Sequence, residues 1–396
     1  MKKAYNLPGN RITRFVSSWP DVLKFLVLIL TTLFVTYYLG TSFRIIWYAA
    51  LLVTYYFSRN EALWLAFFLS TTDGFAGFFG LYTVIMPVLP GLPDVELAQI
   101  YVIITVVKAA LRKNGVQVFY NKYLQVLFIY LIFMIIWGHM MGFSGGMNVY
   151  FRVLKGVIPM LLFYSVPRLF TNQDYYFRFF RIIFVIVLVA FAAQLFTLFS
   201  GITPTEAAGI APGEDQEESK DFRFFYNSSS TLIGFFAALY LLNRRTTAFR
   251  NPILPYAVIF SVLAMSVLSA TRGWMISFSL VLLFTFLFTG MIRSKRILEF
   301  VLISVPLLYL AFSNPVINRQ INFARERLGK IEAITEGDLT AEGSLQRLDY
   351  RSQRVMGAWS ENPVFGWGLS DKGYEYGDGH VGNQSLLAIS GITGFL

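Results

Sequence analysis

The chain reads as an all-α membrane protein of about twelve transmembrane helices, with one large helical loop on the outer side. Three observations predict this. Of its 396 residues, 56% are hydrophobic and only 14% charged, and the mean hydropathy is +0.56. A soluble domain carries about 25% charged residues, so this chain has too few to cover a soluble surface of its size. Second, the apolar residues fall in long continuous runs, whereas barrel strands would alternate. Third, lysines and arginines gather in alternate loops, as the positive-inside rule requires. The 40 phenylalanines and 22 tyrosines suit lipid-facing helices and membrane interfaces. With no cysteine, the chain has no disulfide, thiolate zinc site, iron–sulfur cluster or cysteine nucleophile.

A spanning helix needs about 20 mostly apolar residues, with a range of about 17–25. Runs of this kind predict helices over Val22–Gly40, Phe43–Phe57, Glu61–Gly80, Leu97–Leu111, Tyr123–Met141, Tyr150–Phe170, Phe179–Ser200, Ser229–Leu242, Ile253–Ala270, Trp274–Ile292 and Leu298–Ser313. A twelfth starts near Asn383. The first run is too long for a signal peptide and no small-residue cleavage site follows it. With a cytoplasmic N-terminus, the inner side holds 19 of the 33 basic residues against Asp21, Glu61, Asp174 and Glu299. The net charge of +10 is therefore a sidedness signal and does not indicate nucleic acid.

Three regions follow: membrane helices over 1–313, a hydrophilic outer loop over 314–381, and the start of a further span over 382–396. A loop beyond about 12–15 residues is usually functional or disordered, and this one is of mixed composition. Ile317, Ile321, Ala324, Leu328 and Ile331 recur at helical spacing. A second helix is expected between Gly343 and Pro363, with Leu345, Leu348, Val355 and Trp359 as its apolar stripe. Arg347, Arg351 and Arg354 line an adjacent stripe. The last run, Asn383–Leu396, makes about 21 Å of helix at about 1.5 Å per residue, short of the roughly 30 Å hydrocarbon core, so the helix is expected to continue past Leu396.

Some charges do not serve sidedness. Arg152, Lys155, Arg223 and Arg272 sit at outer helix ends. Arg152 and Lys155 suit interface anchoring. Arg272, in SATRGW, lies between two apolar runs; it is either a snorkelling anchor or a forked partner for a phosphate. His139 ends a helix and reads as an interface residue. His380 closes the glycine-rich GYEYGDGH, where an imidazole can accept a proton from a hydroxyl near neutral pH. Asp94 and Glu96 form an outer acid pair of the kind that holds Mg²⁺ or Mn²⁺, or else a solvated loop. No P-loop, GxSxG, HExxH or Rossmann pattern occurs.

Four stretches resemble the bacterial O-antigen ligase and O-antigen polymerase family: RFFYNSSSTLIGFFAAL at Arg223–Leu239, SATRGWMISF at Ser269–Phe278, RLDYRSQRVMGAWSENPVFGWG at Arg347–Gly368, and HVGNQSLLAISGITG at His380–Gly394. They stand in family order over roughly residues 180–396, and Val381 replaces the family's usual polar residue. The resemblance implies a GT-C-like helical enzyme of the inner membrane, working on the periplasmic face without metal or cofactor. Its donor would be an undecaprenyl-diphosphate-linked glycan. Its acceptor would be a sugar hydroxyl of lipid A–core for a ligase, or a second lipid-linked glycan for a polymerase. Carried over by motif, Arg223 and Arg272 would bind the diphosphate, His380 would be the base, and Arg347 and Arg351 would guide substrate. A flippase for lipid-linked oligosaccharide also needs outer cations, but alternating access commonly uses inverted repeats, which the sequence lacks.

Overall fold

A computed structural model of the chain describes residues 19–72, 84–86, 95–112, 121–143, 158–209, 226–244, 253–289, 302, 313–335, 344–378 and 381–395. These residues are overwhelmingly helical. In chain order the helices are α1 (Trp19–Tyr38), α2 (Thr41–Phe57), α3 (Glu61–Thr72), α4 (Leu97–Leu111), α5 (Asn121–Met140), α6 (Leu162–Leu169), α7 (Gln173–Ser200), α8 (Pro204–Ala207), α9 (Ser228–Arg244), α10 (Ile253–Leu268), α11 (Arg272–Thr289), α12 (Pro315–Thr335), α13 (Ser344–Glu361), α14 (Asp371–Tyr376) and α15 (Gly382–Phe395). A two-residue antiparallel ladder, Ile85–Met86 with Val95–Glu96, precedes α4.

Helix stands at eleven of the twelve expected runs; the Leu298–Ser313 run lies almost wholly outside the described residues. Two described helices are long and apolar enough to cross a membrane, Pro20–Tyr38 and Gln173–Ser200. The other apolar helices are shorter, including Leu97–Leu111 and Ile253–Leu268. α7 begins six residues before the expected Phe179. Asn172 Oδ1 accepts from the N–H groups of Asp174 (3.0 Å) and Tyr175 (3.4 Å), which caps the helix before its apolar run starts. Gly201, with φ of 76°, ends it. The run expected over Tyr150–Phe170 enters α6 through a 3₁₀ turn, Ile158–Leu161.

The core forms around α7. Ile182, Ile183, Phe184, Ile186 and Val187 are all fully buried, on the side of this helix covered by α1, α3, α9 and α10. α9 approaches closely because Gly234 faces α7; a Cβ there would meet the Val187 side chain at 2.7 Å. The amphipathic helix expected in the outer loop is α12, capped by Asn314 Oδ1 on Val316 N–H at 3.0 Å. Its most buried described positions are Ala324, a member of the expected stripe, and Gln320 beside it. Gln320 is buried because its amide donates to Leu268 O, at 2.7 Å, at the C-terminal end of α10.

A second body joins α5 to α13, α14 and α15. Tyr130 on α5 donates to Ser390 O on α15 at 2.6 Å, Trp137 Nε1 donates to Gly366 O at 3.0 Å, and Asp371 N–H donates to Gly142 O at 3.2 Å. Gly368 packs on Gly138 of α5 and donates to Ile389 O, whereas Tyr130, lower in number, meets Ser390 and Gly394, so rising numbers on α5 match falling numbers on α15 and the two run antiparallel.

Candidate functional site

One candidate site lies where α7, α9, α10, α11 and α12 end together. Tyr226 OH and Thr197 Oγ1 share a 2.7 Å hydrogen bond, which sets the start of α9 level with the end of α7. Gln194 Nε2 donates to Met265 O at 3.1 Å, which brings the end of α10 to the same level. Phe235 and Phe278 stack edge to face at 4.9 Å. α11 starts at Arg272, four residues after α10 ends at Leu268, and α9 starts level with that same end through Tyr226, so the N-termini of α9 and α11 share one end and the two helices run parallel. Each is entered through a non-glycine residue in the left-handed region, Asn227 and Ala270, both with φ of 48°. Such backbone is uncommon outside glycine and clusters at ligand clamps.

The lining of this end is polar and buried: Gln194, Thr197, Asn227, Thr231 and Ser269 are each at least nine-tenths covered. Asn227 Nδ2 and Gln194 Oε1 have no hydrogen-bond partner among the described residues. Burial pushes the Tyr226 hydroxyl up to about 12, against the Thr197 hydrogen bond and with help from Glu206. It is therefore neutral across the physiological range and acts as a hydrogen-bonding group.

A second cluster forms where α13 meets the segment leading into α15. Arg351 Nη1 lies 3.6 Å from Asp378 Oδ1, and Arg354 Nη2 lies 3.6 Å from Asp378 Oδ2. Asp378 is fixed by its backbone: its N–H donates to Ser385 Oγ, and Ser385 Oγ donates to its carbonyl, both at 2.8 Å. Val381 N–H donates to the same carbonyl at 3.2 Å. Lys372 pairs with Glu361 and sits 4.3 Å above the Trp367 ring.

The structure thus brings Arg351 to within two residues of His380 along the chain, on the Asp378 side. His380 and Arg223 themselves lie outside the described residues, as does Asp94. Arg272 is the first residue of α11, at the end it shares with α9, and Arg347 lies on α13 one turn before Arg351; their side chains are not among those described. Glu96 takes part in a capping box with Gln99, whose Oε1 accepts from Glu96 N–H at 3.3 Å, so this acid has a structural task at the start of α4. His139 is exposed at the end of α5.

Arg354 and Asp378 were not singled out as site residues by sequence. Arg354 shares the stripe of Arg347 and Arg351, but Asp378 is marked by no spacing rule, because its partners are 24 and 27 residues away. A buried ion cluster at the opposite end also went unmarked. Glu61, 2% exposed, lies 2.9 Å from Lys108 Nζ and 3.2 Å from Arg112 Nη2, and Lys108 also donates to the carbonyls of Tyr55 and Ser58. In the sequence these charges serve only as sidedness markers. Comparison of the chain with protein-family models, with curated proteins and with solved structures finds no match in any of the three.

Proposed function

We propose that the chain is a membrane glycosyltransferase of the bacterial inner membrane. It would pass a glycan from an undecaprenyl-diphosphate donor to a sugar hydroxyl on the periplasmic face, as an O-antigen ligase does with lipid A–core. The observation that carries this reading is the shared outer end of two parallel helices, α9 and α11. One begins just after Arg223 and the other at Arg272. Helix N-termini favour anions, and an Asn227 amide donor with no partner among the described residues lies buried at the same end. A diphosphate leaving group needs such fixed positive charge as the glycosidic bond breaks.

The chemistry then divides between the two clusters. His380 takes the proton from the attacking hydroxyl, whose oxygen displaces the diphosphate at the anomeric carbon with inversion. The arginines hold the departing diphosphate, so no metal is required. Arg347 and Arg351 on α13 guide the anionic parts of donor or acceptor towards the Asp378–His380 segment. The polymerase reading shares every one of these steps and differs only in the acceptor.

The test is purified protein in lipid, given an undecaprenyl-diphosphate glycan with either lipid A–core or a second donor. Glycan joined to the core identifies a ligase, and a lengthened lipid-linked glycan identifies a polymerase. Turnover should persist in excess EDTA. Movement of donor across the bilayer with no product would overturn transfer in favour of transport.

A further inference from the structure

The segment Glu361–Asp371 interrupts the hydrophilic loop with an apolar stretch, Pro363-Val364-Phe365-Gly366-Trp367-Gly368-Leu369. Its C-terminal end lies level with the outer end of α5, since Asp371 N–H donates to Gly142 O at 3.2 Å. Its middle does not. Phe365 packs on Phe133 and Trp137, with ring centroids 5.7 and 5.3 Å apart. Phe133 is seven residues before the end of α5, which is about 10 Å down the helix at about 1.5 Å per residue. On its other side the turn meets α15: the carbonyls of Pro363 and Val364 accept from Ile392 and Thr393, at 3.0 and 3.2 Å, just past the break in that helix at Gly391.

Main-chain polar groups at such a depth need partners within the protein, and four N–H groups of this segment have them. Gly366 N–H donates to Asn362 O, Trp367 N–H to Ala388 O, Gly368 N–H to Ile389 O and Leu369 N–H to Met134 O. Gly366 O accepts from both Trp137 Nε1 and Asn362 Nδ2, at 3.0 and 2.7 Å. The side chains at the tip nevertheless face outward: Val364 is 50% exposed and Phe365 38%. Ile132 and Ile136 on α5 and Ile392 on α15 are exposed apolar side chains as well. Above them sits an interfacial rim of Lys372 over Trp367 and Tyr376.

We propose that Pro363–Gly368 is a re-entrant turn seated in the outer-leaflet hydrocarbon, with Val364 and Phe365 against lipid chains. The inference rests on α5 being a membrane span and is independent of the transfer chemistry. A main chain tied to α5 and α15, an outward apolar tip and a cation–aromatic rim one step higher together fit hydrocarbon chains as the occupant. A lipid-linked substrate would then lie with its chain on this edge and its head beside Arg351 and Arg354.

The chain has no cysteine, so single nitroxide labels test this directly. Val364→Cys, Phe365→Cys, Ile132→Cys, Ile136→Cys and Tyr350→Cys are each placed in the full chain, in bilayers of phosphatidylethanolamine and phosphatidylglycerol. The collision rates of each label with oxygen and with a water-soluble nickel chelate are then compared. Labels at 364 and 365 should favour oxygen, with depths matching the 132 and 136 labels, while the 350 label favours nickel. Nickel accessibility at 364 and 365, with 132 and 136 still in lipid, overturns the re-entrant turn alone. Protection from both reagents also overturns it, because another protein surface would then cover the edge. Nickel accessibility at 132 and 136 removes the span itself and the proposal with it.

Discussion

Gly391 shows how much a single residue can fix here. Its φ of 61° and ψ of −172° fall in a region that only glycine occupies readily, and an added Cβ would overlap the Val364 carbonyl. Gly366 has φ of 66°, and its Cβ would meet Gly391 N at 2.5 Å. The two glycines therefore let two backbones touch, and Gly391→Ala should cost roughly 3–5 kcal/mol or detach the turn from α15. Gly273 meets nothing within 4 Å, so Gly273→Ala should leave the melting temperature unchanged; equal losses in thermal unfolding would refute the distinction. Chemistry makes a separate prediction at this scale. If His380 is the base, His380→Ala should lose about 10²–10⁴-fold in turnover with donor affinity kept, while the exposed His139→Ala stays active. Full turnover by the first variant would transfer proton removal to water or substrate. The glycines were legible in sequence as a motif, but their reason was not, since it depends on a contact between residues 25 positions apart.

At the scale of elements, apolar runs and caps read well because both are local. α4 has the expected bounds Leu97–Leu111, and α13 fits between Gly343 and Pro363 as its breakers require. Pairings across the fold were not legible: Asp378 with Arg351 and Arg354, or Glu61 with Lys108. The second of these ties the start of α3 to the end of α4. Lys108 also reaches the carbonyls of Tyr55 and Ser58 at the end of α2, so three helices meet on one ammonium group. Removing one partner of a buried pair leaves the other charge uncompensated, at about 3–5 kcal/mol, whereas replacing both with apolar groups is often nearly neutral. Glu61→Gln and Lys108→Met should each lower the denaturation midpoint strongly, and the double variant should recover much of the loss. Strictly additive losses would show that the charges do not stabilise one another.

At the scale of the whole molecule, the charges sort by side in a way that the geometry makes testable. Parallel α9 and α11 place Asn227 and Arg272 at one end, and the C-terminal end of α7 lies at that same end through Thr197. The Glu61–Lys108–Arg112 cluster is at a helix junction that the basic-residue count assigns to the cytoplasm. α13 should then lie on the outer side, because the segment that follows it packs through Phe365 and Asp371 against the C-terminal half of α5, which the same count assigns to the outside. A cysteine at Ser344, the first residue of α13, should react in intact spheroplasts with a membrane-impermeant maleimide. A cysteine at Lys3 should react only after the membrane is opened. The absence of native cysteines leaves no background label. Reaction of Lys3→Cys in intact spheroplasts together with protection of Ser344→Cys would invert the molecule. The arginines of α13 and α11 would then face the cytoplasm, where a periplasmic transferase could not use them.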